Sequence, residues 1–364
     1  MTSDPRVTPA RGTSSSARFL PLDAFRGLIM LLLVSDGLGF HALAGHPVYG
    51  GIAAQFDHVP WVGTVFYDLI APAFLFMVGM AMPFALARRT AEGATFRDNL
   101  RHVAIRSLRL LLWSQVLISI EAGRLHYQMH NILTHIAVAY FVCFLIMQWR
   151  LRYQVLAAAV LLGSHTLLFF LFPGADGAFT KTGNIGAVID RALMGSNYAS
   201  WTTNLNMIST TATALFGVWA GNLLRSARPR AEQMKILAVA MVGAFAAGLA
   251  LSPFIPIIRR IWTASFALYS LGWVIFMLLV FYLLIDVVGF RKLVFPLSVA
   301  GSNAIVIYSL DIVMRGRIDQ AVAVFTRRFD FIGTFAPVAQ ACAVLLVMWS
   351  VCYWLHRKGI FIRL

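Results

Sequence analysis

An all-α, polytopic integral membrane bundle of about ten transmembrane helices is the fold class this sequence predicts, on three observations. Hydrophobic residues make up 59% of the 364 and charged ones only 12%, more apolar content than one soluble core absorbs. The apolar residues fall in repeated runs of about 20, the length that crosses a bilayer as a helix. No segment longer than about 35 residues lacks such a run, so there is no room for a separate soluble domain of ordinary size. A globular enzyme is excluded.

Residues 1–18 are polar, Ser-rich and Pro-containing, without the apolar centre of a signal peptide, and read as a disordered cytoplasmic tail. Residues 19–364 read as a single transmembrane domain. The length rule places spans near 22–44, 63–87, 103–122, 132–148, 154–173, 207–224, 235–254, 263–285, 294–314 and 332–355. The longest connection, 174–206, is rich in Gly and Asn, and a long ordered loop is more often a lid or binding element than a connector. There is no internal repeat and no pair of broken helices at matching positions in two halves, the pattern that marks many secondary transporters. Gly217-Val218-Trp219-Ala220-Gly221 is a small-xxx-small pattern for close helix packing.

A net charge of +15 resembles a nucleic-acid signal until the 30 Lys and Arg are placed. With a cytoplasmic N-terminus the inner segments hold 18 of them and the outer ones 9, while Arg26, Arg106 and Arg109 lie in helix ends. This is the positive-inside asymmetry of a membrane protein, with both termini in the cytoplasm, the lipid bilayer as partner and no nucleic acid. The four Arg between residues 315 and 328 run against it. Cys143, Cys342 and Cys352 all lie in apolar runs, where a thiol behaves as a small hydrophobe, so neither a disulfide framework nor a thiolate metal site is suggested.

Chemistry-bearing residues gather around one stretch. Asp57-His58-Val59-Pro60-Trp61 leads into Tyr67-Asp68-Leu69-Ile70, setting an imidazole at the mouth of an apolar helix and a carboxylate inside it. A carboxylate in hydrocarbon is a functional candidate by default. His58 fits a working base or nucleophile and a satisfied loop histidine equally well, with Trp61 as an interface anchor beside it. Asp36 stands about 15 Å along the first helix from Arg26, near mid-membrane, either functional or neutral and hydrogen-bonded inside the bundle. Asp23 and Arg26 share a face of that helix and can pair at the cytoplasmic boundary. His41, His46 and His58 with Asp57 lack the short ligand pairs of zinc patterns, so no metal is assigned. Asn131, Thr134 and His135 open the fourth span, and Trp262, Thr263 and Ser265 the eighth, after Arg259 and Arg260. Ser302, Asn303, Tyr308 and Asp311 lie in the ninth; helix packing explains most such groups, with Asn303 and Asp311 the exceptions to watch. Walker loops, dinucleotide glycine fingerprints and serine elbows are missing, so nucleotide and serine hydrolysis have no support.

Together these residues resemble the heparan-alpha-glucosaminide N-acetyltransferase family of transmembrane acyltransferases. The landmarks are Asp23-x-Phe25-Arg26-Gly27; His58-x-x-Trp61-x-Gly63 with Asp68-Leu69-Ile70 and Phe74 to Gly79; Asn131 to Tyr140; Ile208 to Gly221; Pro256 to Ser265 around Trp262; and Gly301-Ser302-Asn303 with Tyr308. The resemblance implies that acetyl-CoA, as co-substrate, enters from the cytosol and that its acetyl group passes to an amino sugar or glycan at the opposite face. It gives His58 the catalytic position, with Asp68 the acid that follows it. Asp36 departs from an active-site amide, His135 replaces an arginine, and Thr202-Thr203-Asn204-Leu205-Asn206 stands in place of a different opening to the sixth span, so the acceptor differs from the best-known one. A compact chain of this length fits a bacterial inner-membrane member.

The expected site is therefore His58, Asp68 and Asp36 for catalysis; Arg26, Asp23, Trp262, Ser265 and Asn303 for the cofactor; and His135, Asn131 and Trp61 for the acceptor. Arg88 and Arg89 join Arg26 as partners for the CoA phosphates. An amine attacking a thioester loses a proton that a neutral imidazole accepts, or His58 is itself acetylated and passes the group on; the residues leave both routes open. A sugar permease using the same polar groups for binding or proton coupling is the alternative, with a site-free structural subunit third, and a second copy of the chain stands as a candidate partner.

Overall fold

The computed structural model describes residues 20–174, 176–196 and 203–362; the expected tail, 1–18, and Thr202 lie outside them. Thirteen α-helices are described, joined by 3-10 turns, and among the described residues no strand forms. They run α1 Leu20–Leu33, α2 Gly50–Ala53, α3 Ile70–Ala91, α4 Phe96–Glu121, α5 Ile132–Ile146, α6 Leu151–Leu171, α7 Ile185–Met194, α8 Thr203–Arg225, α9 Arg230–Leu251, α10 Ala264–Tyr282, α11 Val294–Ser302, α12 Ala304–Thr326 and α13 Ala336–Arg357. Among the described residues seven helices are long and apolar enough to cross a membrane, nine if each of two bent pairs counts as one span. The chain is a polytopic helical membrane protein.

Each expected apolar run contains a helix, and local chemistry sets where several begin. Thr95 and Asp98 form a reciprocal cap on α4, Asn131 caps α5 and Thr263 caps α10, satisfying amides that have no partner in the helix itself. At 15 residues α5 is only about 22 Å long. Its residues are mostly buried in the bundle, so it need not match the hydrocarbon thickness facing lipid.

Small residues bring α3 and α8 together. A Cβ on Gly79 would stand 1.8 Å from the Ala214 carbonyl oxygen, and one on Gly217 2.0 Å from that of Phe76. Gly217 and Gly221 thus act as the small-xxx-small pattern requires, letting backbones meet. Gly27 likewise admits the Leu297 carbonyl of α11.

Two spans are broken, a correction to the unbroken helices expected. The first bends by 53° between α1 and the 3-10 segment Asp36–Leu43, the ninth by 71° between α11 and α12. At the first break Asp36, Gly37, Leu38 and Gly39 all have positive φ, a conformation that ends a right-handed helix at once. Arg315 of α12 closes this break by donating to the Val34 carbonyl, a cation at a helix C-terminus where the backbone dipole favours it.

Alternation of the helices gives the bundle two ends. The start of α1 meets the end of α10 through Phe25 and Phe281, ring centroids 5.6 Å apart. The link 44–69 and the link 252–263 lie together at the other end, where Gly63 N–H donates to the Ile257 carbonyl at 2.8 Å. Gly63 has φ of 110°, which a side chain would strain.

Candidate functional site

The residues around His58 are positioned by three pieces of backbone. An extended link follows Asp57, a 3-10 turn Phe66–Leu69 opens α3, and the link 252–263 crosses from α9 to α10. Asp68 belongs to the turn, and its two carboxylate oxygens have separate tasks. Oδ2 accepts from the Val65 N–H at 3.2 Å, closing the turn. Oδ1 lies 2.8 Å from His58 Nδ1. Asp68 is 1% exposed, while the His58 side chain is 33% exposed, so the acid is sealed behind an imidazole that reaches open space.

Arg259 completes the cluster. Its Nη1 lies 3.5 Å from Asp68 Oδ1 and 3.2 Å from His58 Nδ1, with the side chain 12% exposed. A guanidinium only donates, and Asp68 is the acceptor both nitrogens share, so the network is satisfied when Nδ1 carries the imidazole proton and Nε2 keeps its lone pair. Burial pushes the Arg259 guanidinium down to about 10 while Asp68 pulls it back up, so it stays cationic at neutral pH. Tyr67 packs against the imidazole, ring centroids 4.9 Å apart, and its hydroxyl accepts from the Gly37 N–H at 3.2 Å. The first broken span is thereby tied to the site.

The arrangement can hold one imidazole tautomer, take a proton at Nε2 and balance the resulting charge against Asp68. Among the described residues no three His, Cys, Asp or Glu side chains are grouped to hold a metal ion.

The other expected residues are distributed differently. Asp36 is not enclosed mid-bundle: it is 66% exposed and pairs with Arg315 at 3.9 Å, because the backbone turns left-handed there and swings the carboxylate outward. Arg315 also holds Asp311 at 2.5 Å. Asn131 caps α5 and accepts from the Tyr308 hydroxyl at 3.1 Å, and His135, one turn on, is buried against Thr210 at 3.4 Å. Trp61 donates to the Phe179 carbonyl at 2.8 Å, strapping the long connection beside the site. That connection contains α7, whose Asp190 accepts from Asn204.

The five expected cofactor residues do not form one patch. Asp23 and Arg26 start α1 at one end; Trp262 and Ser265 start α10 at the other, because α1 and α10 run in opposite directions. Trp262 is buried, has φ of 47° and donates to Thr213, and Ser265 donates to the Pro256 carbonyl, so both shape the link that carries Arg259. Asn303 sits at the second break with both amide atoms engaged by the C-terminal segment, to Ile360 O and from Ile362 N. At the α1-start end a cavity of about 300 Å³ is lined by Thr90, Asn99, Gln148 and Arg225 among apolar residues. Arg89 donates to Asn99 beside it, while Arg88 pairs with Glu92 in solvent. Sequence reasoning counted Arg259 and Arg225 only as loop charges and gave Tyr67 no role. Position 259 is 191 residues from Asp68, and no spacing rule connects them.

Residues 18–246 match the sequence model described as heparan-alpha-glucosaminide N-acetyltransferase, catalytic. The match includes His58 and Asp68 and ends before Arg259. Two curated relatives carry the name heparan-alpha-glucosaminide N-acetyltransferase. The Homo sapiens protein is 23% identical over 84% of this chain and 54% of its own length, the Mus musculus protein 23% identical over 82% and 54%. The chain spans about half the length of these relatives.

Proposed function

Since this chain belongs to the heparan-alpha-glucosaminide N-acetyltransferase family of membrane acetyltransferases, we propose that it moves an acetyl group from acetyl-CoA to the amine of an amino sugar or glycan on the opposite side of the membrane, with His58 as the working imidazole. The observation that carries this reading is the half-open His58 ring bonded at Nδ1 to a sealed Asp68 carboxylate, 2.8 Å away. In direct transfer the acceptor amine attacks the thioester carbonyl, His58 Nε2 takes the proton the amine loses, and the C–S bond breaks to release CoA thiolate, which recovers that proton. In the two-step route Nε2 attacks the thioester carbonyl and the C–S bond breaks to release CoA thiolate; the amine then attacks the acetyl-imidazole, the C–Nε2 bond breaks to free the ring, and the amine's proton passes to the thiolate. Asp68 serves both by holding the tautomer.

On this reading the His58 end faces away from the cytoplasm, the α1-start end faces it, and Arg225 and Arg89 at the cavity there meet the CoA phosphates in place of Arg26. Asp36, exposed, and Asp311, half-buried against Arg315, stand beyond Tyr67 on the acceptor side rather than at the reacting atoms.

The test is direct. Purified protein in detergent releases free CoA from acetyl-CoA when a glucosamine-type acceptor is added, and His58→Ala reduces that release at least 10²-fold, the scale of acid–base catalysis. No acceptor-dependent release from the unaltered protein would sink the reading. A second reading, a sugar permease, draws on the two broken spans, since interrupted helices bind substrates in many transporters. It predicts uptake of labelled sugar into proteoliposomes without acetyl-CoA.

A further inference from the structure

The link 252–263 brings a buried cation to the back of the imidazole, and the transfer reading above gives it no task. Arg259 approaches from the Nδ1 side, together with Asp68. It stands behind the ring, while a substrate would meet Nε2 in front, so the guanidinium does not touch the reacting atoms. Its position on a chain segment remote from α3 is fixed by several bonds: Gly63 N–H to Ile257 O, Ile258 N–H to Thr263 Oγ1, and the Thr263 and Ser265 hydroxyls to Pro256 O. A buried carboxylate alone beside an imidazole favours a second proton on the ring, and a ring that already holds two protons accepts none. A cation sharing the same carboxylate oxygen cancels that pull while leaving the hydrogen bond to Nδ1 intact.

We propose that Arg259 is a positioning residue. By neutralising Asp68 it keeps His58 as the neutral Nδ1–H tautomer with Nε2 free, so that the base is ready before the acceptor arrives. The proposal rests on the acetyl-transfer reading for its catalytic meaning. The other charged and titratable groups around the ring are Asp57, which binds the His58 backbone N–H, Tyr67 against its face, Arg260 next to Arg259, and, beyond Tyr67, Asp36 with Arg315 and Asp311. None of them shares Asp68 Oδ1 with the imidazole in the bonds described.

The experiment compares pH profiles of CoA release by the full-length protein and by Arg259→Gln and Arg259→Lys. Removing the cation leaves Asp68 uncompensated and favours the doubly protonated ring. The acid limb of the Gln variant therefore moves up by about one pH unit or more. Activity at pH 7 falls about tenfold and returns as pH rises, while KM for acetyl-CoA stays within twofold. Arg259→Lys keeps the limb near its original position. A Gln variant whose loss is uniform across pH, or a Lys variant whose limb moves as far as that of Gln, overturns the proposal. Arg259→Met substitutes if the Gln variant does not fold. A second arm needs no turnover: the pH midpoint for modification of His58 by diethyl pyrocarbonate, taken as the difference from His58→Gln, rises by the same amount in Arg259→Gln. Failure of CoA release with every acceptor defeats the transfer reading alone, whereas an unmoved midpoint defeats the role of Arg259.

Discussion

Asp68 shows how much one side chain decides here. One oxygen closes the turn that starts α3 and the other orients His58, while Arg259 balances the charge. Asp68→Asn keeps the shape but offers a neutral amide, so one of these bonds turns from acceptor to donor. CoA release should fall about 10²–10⁴-fold, as when the acid of a catalytic triad becomes an amide. The protein should also lose about 3 kcal/mol of stability, because Arg259 is left as an uncompensated buried cation; thermal melting in detergent reads the second effect. His130, in the link between α4 and α5, gives a pH effect. Burial and His126 hold its imidazole down at about 4 against an ordinary 6.5. The folded form prefers it neutral, so its contribution is complete above about 6.5 and drains as pH falls towards 4. His130→Gln should therefore flatten the fall of melting temperature over that window; an unchanged slope would refute it. His58 and Asp68 were legible as residues because an imidazole and a carboxylate interrupt an apolar run. Arg259 was not, since a loop arginine looks the same whether it faces water or a buried acid.

Among elements, the contact of α3 with α8 constrains the site, because the turn that opens α3 carries Asp68 and α8 carries Thr213, which holds Trp262. Gly79→Ala places a methyl 1.8 Å from the Ala214 carbonyl oxygen, so the helices must separate. A loss of about 1–3 kcal/mol is expected, with activity falling in parallel. Gly243→Ala in α9, where the added carbon meets nothing within 4 Å, should be neutral or stabilise by up to about 1 kcal/mol through helix propensity. Equal melting temperatures for the two variants would contradict this packing. Run length and apolarity revealed where helices lie, and Gly217 and Gly221 announced a close contact. The two breaks were hidden: Ser35-Asp36-Gly37 and Ser302-Asn303 are short polar insertions that a sliding length rule absorbs into one span. Their bends come from left-handed backbone at 36–39 and from the C-terminal segment bound to Asn303.

Across the whole molecule, the proposed orientation makes an asymmetric labelling pattern. In a cysteine-free background, Lys181→Cys in the long connection should react with a membrane-impermeant maleimide on intact cells. Arg228→Cys, between α8 and α9, should react only after permeabilisation. The reverse pattern would invert the proposed direction of transfer. By itself the sequence determined that the chain is a helical membrane protein and roughly where its helices run, because hydrocarbon demands long apolar segments with every backbone bond satisfied internally. It also offered His58 and Asp68 as neighbours, ten positions apart at a helix mouth. Only the tertiary structure decided that Arg259 lies behind that pair and that Asp36 belongs to Arg315. Those relations depend on helix direction and on which loops meet at one end of the bundle, and an electrostatic contact between distant segments leaves no periodicity in the chain.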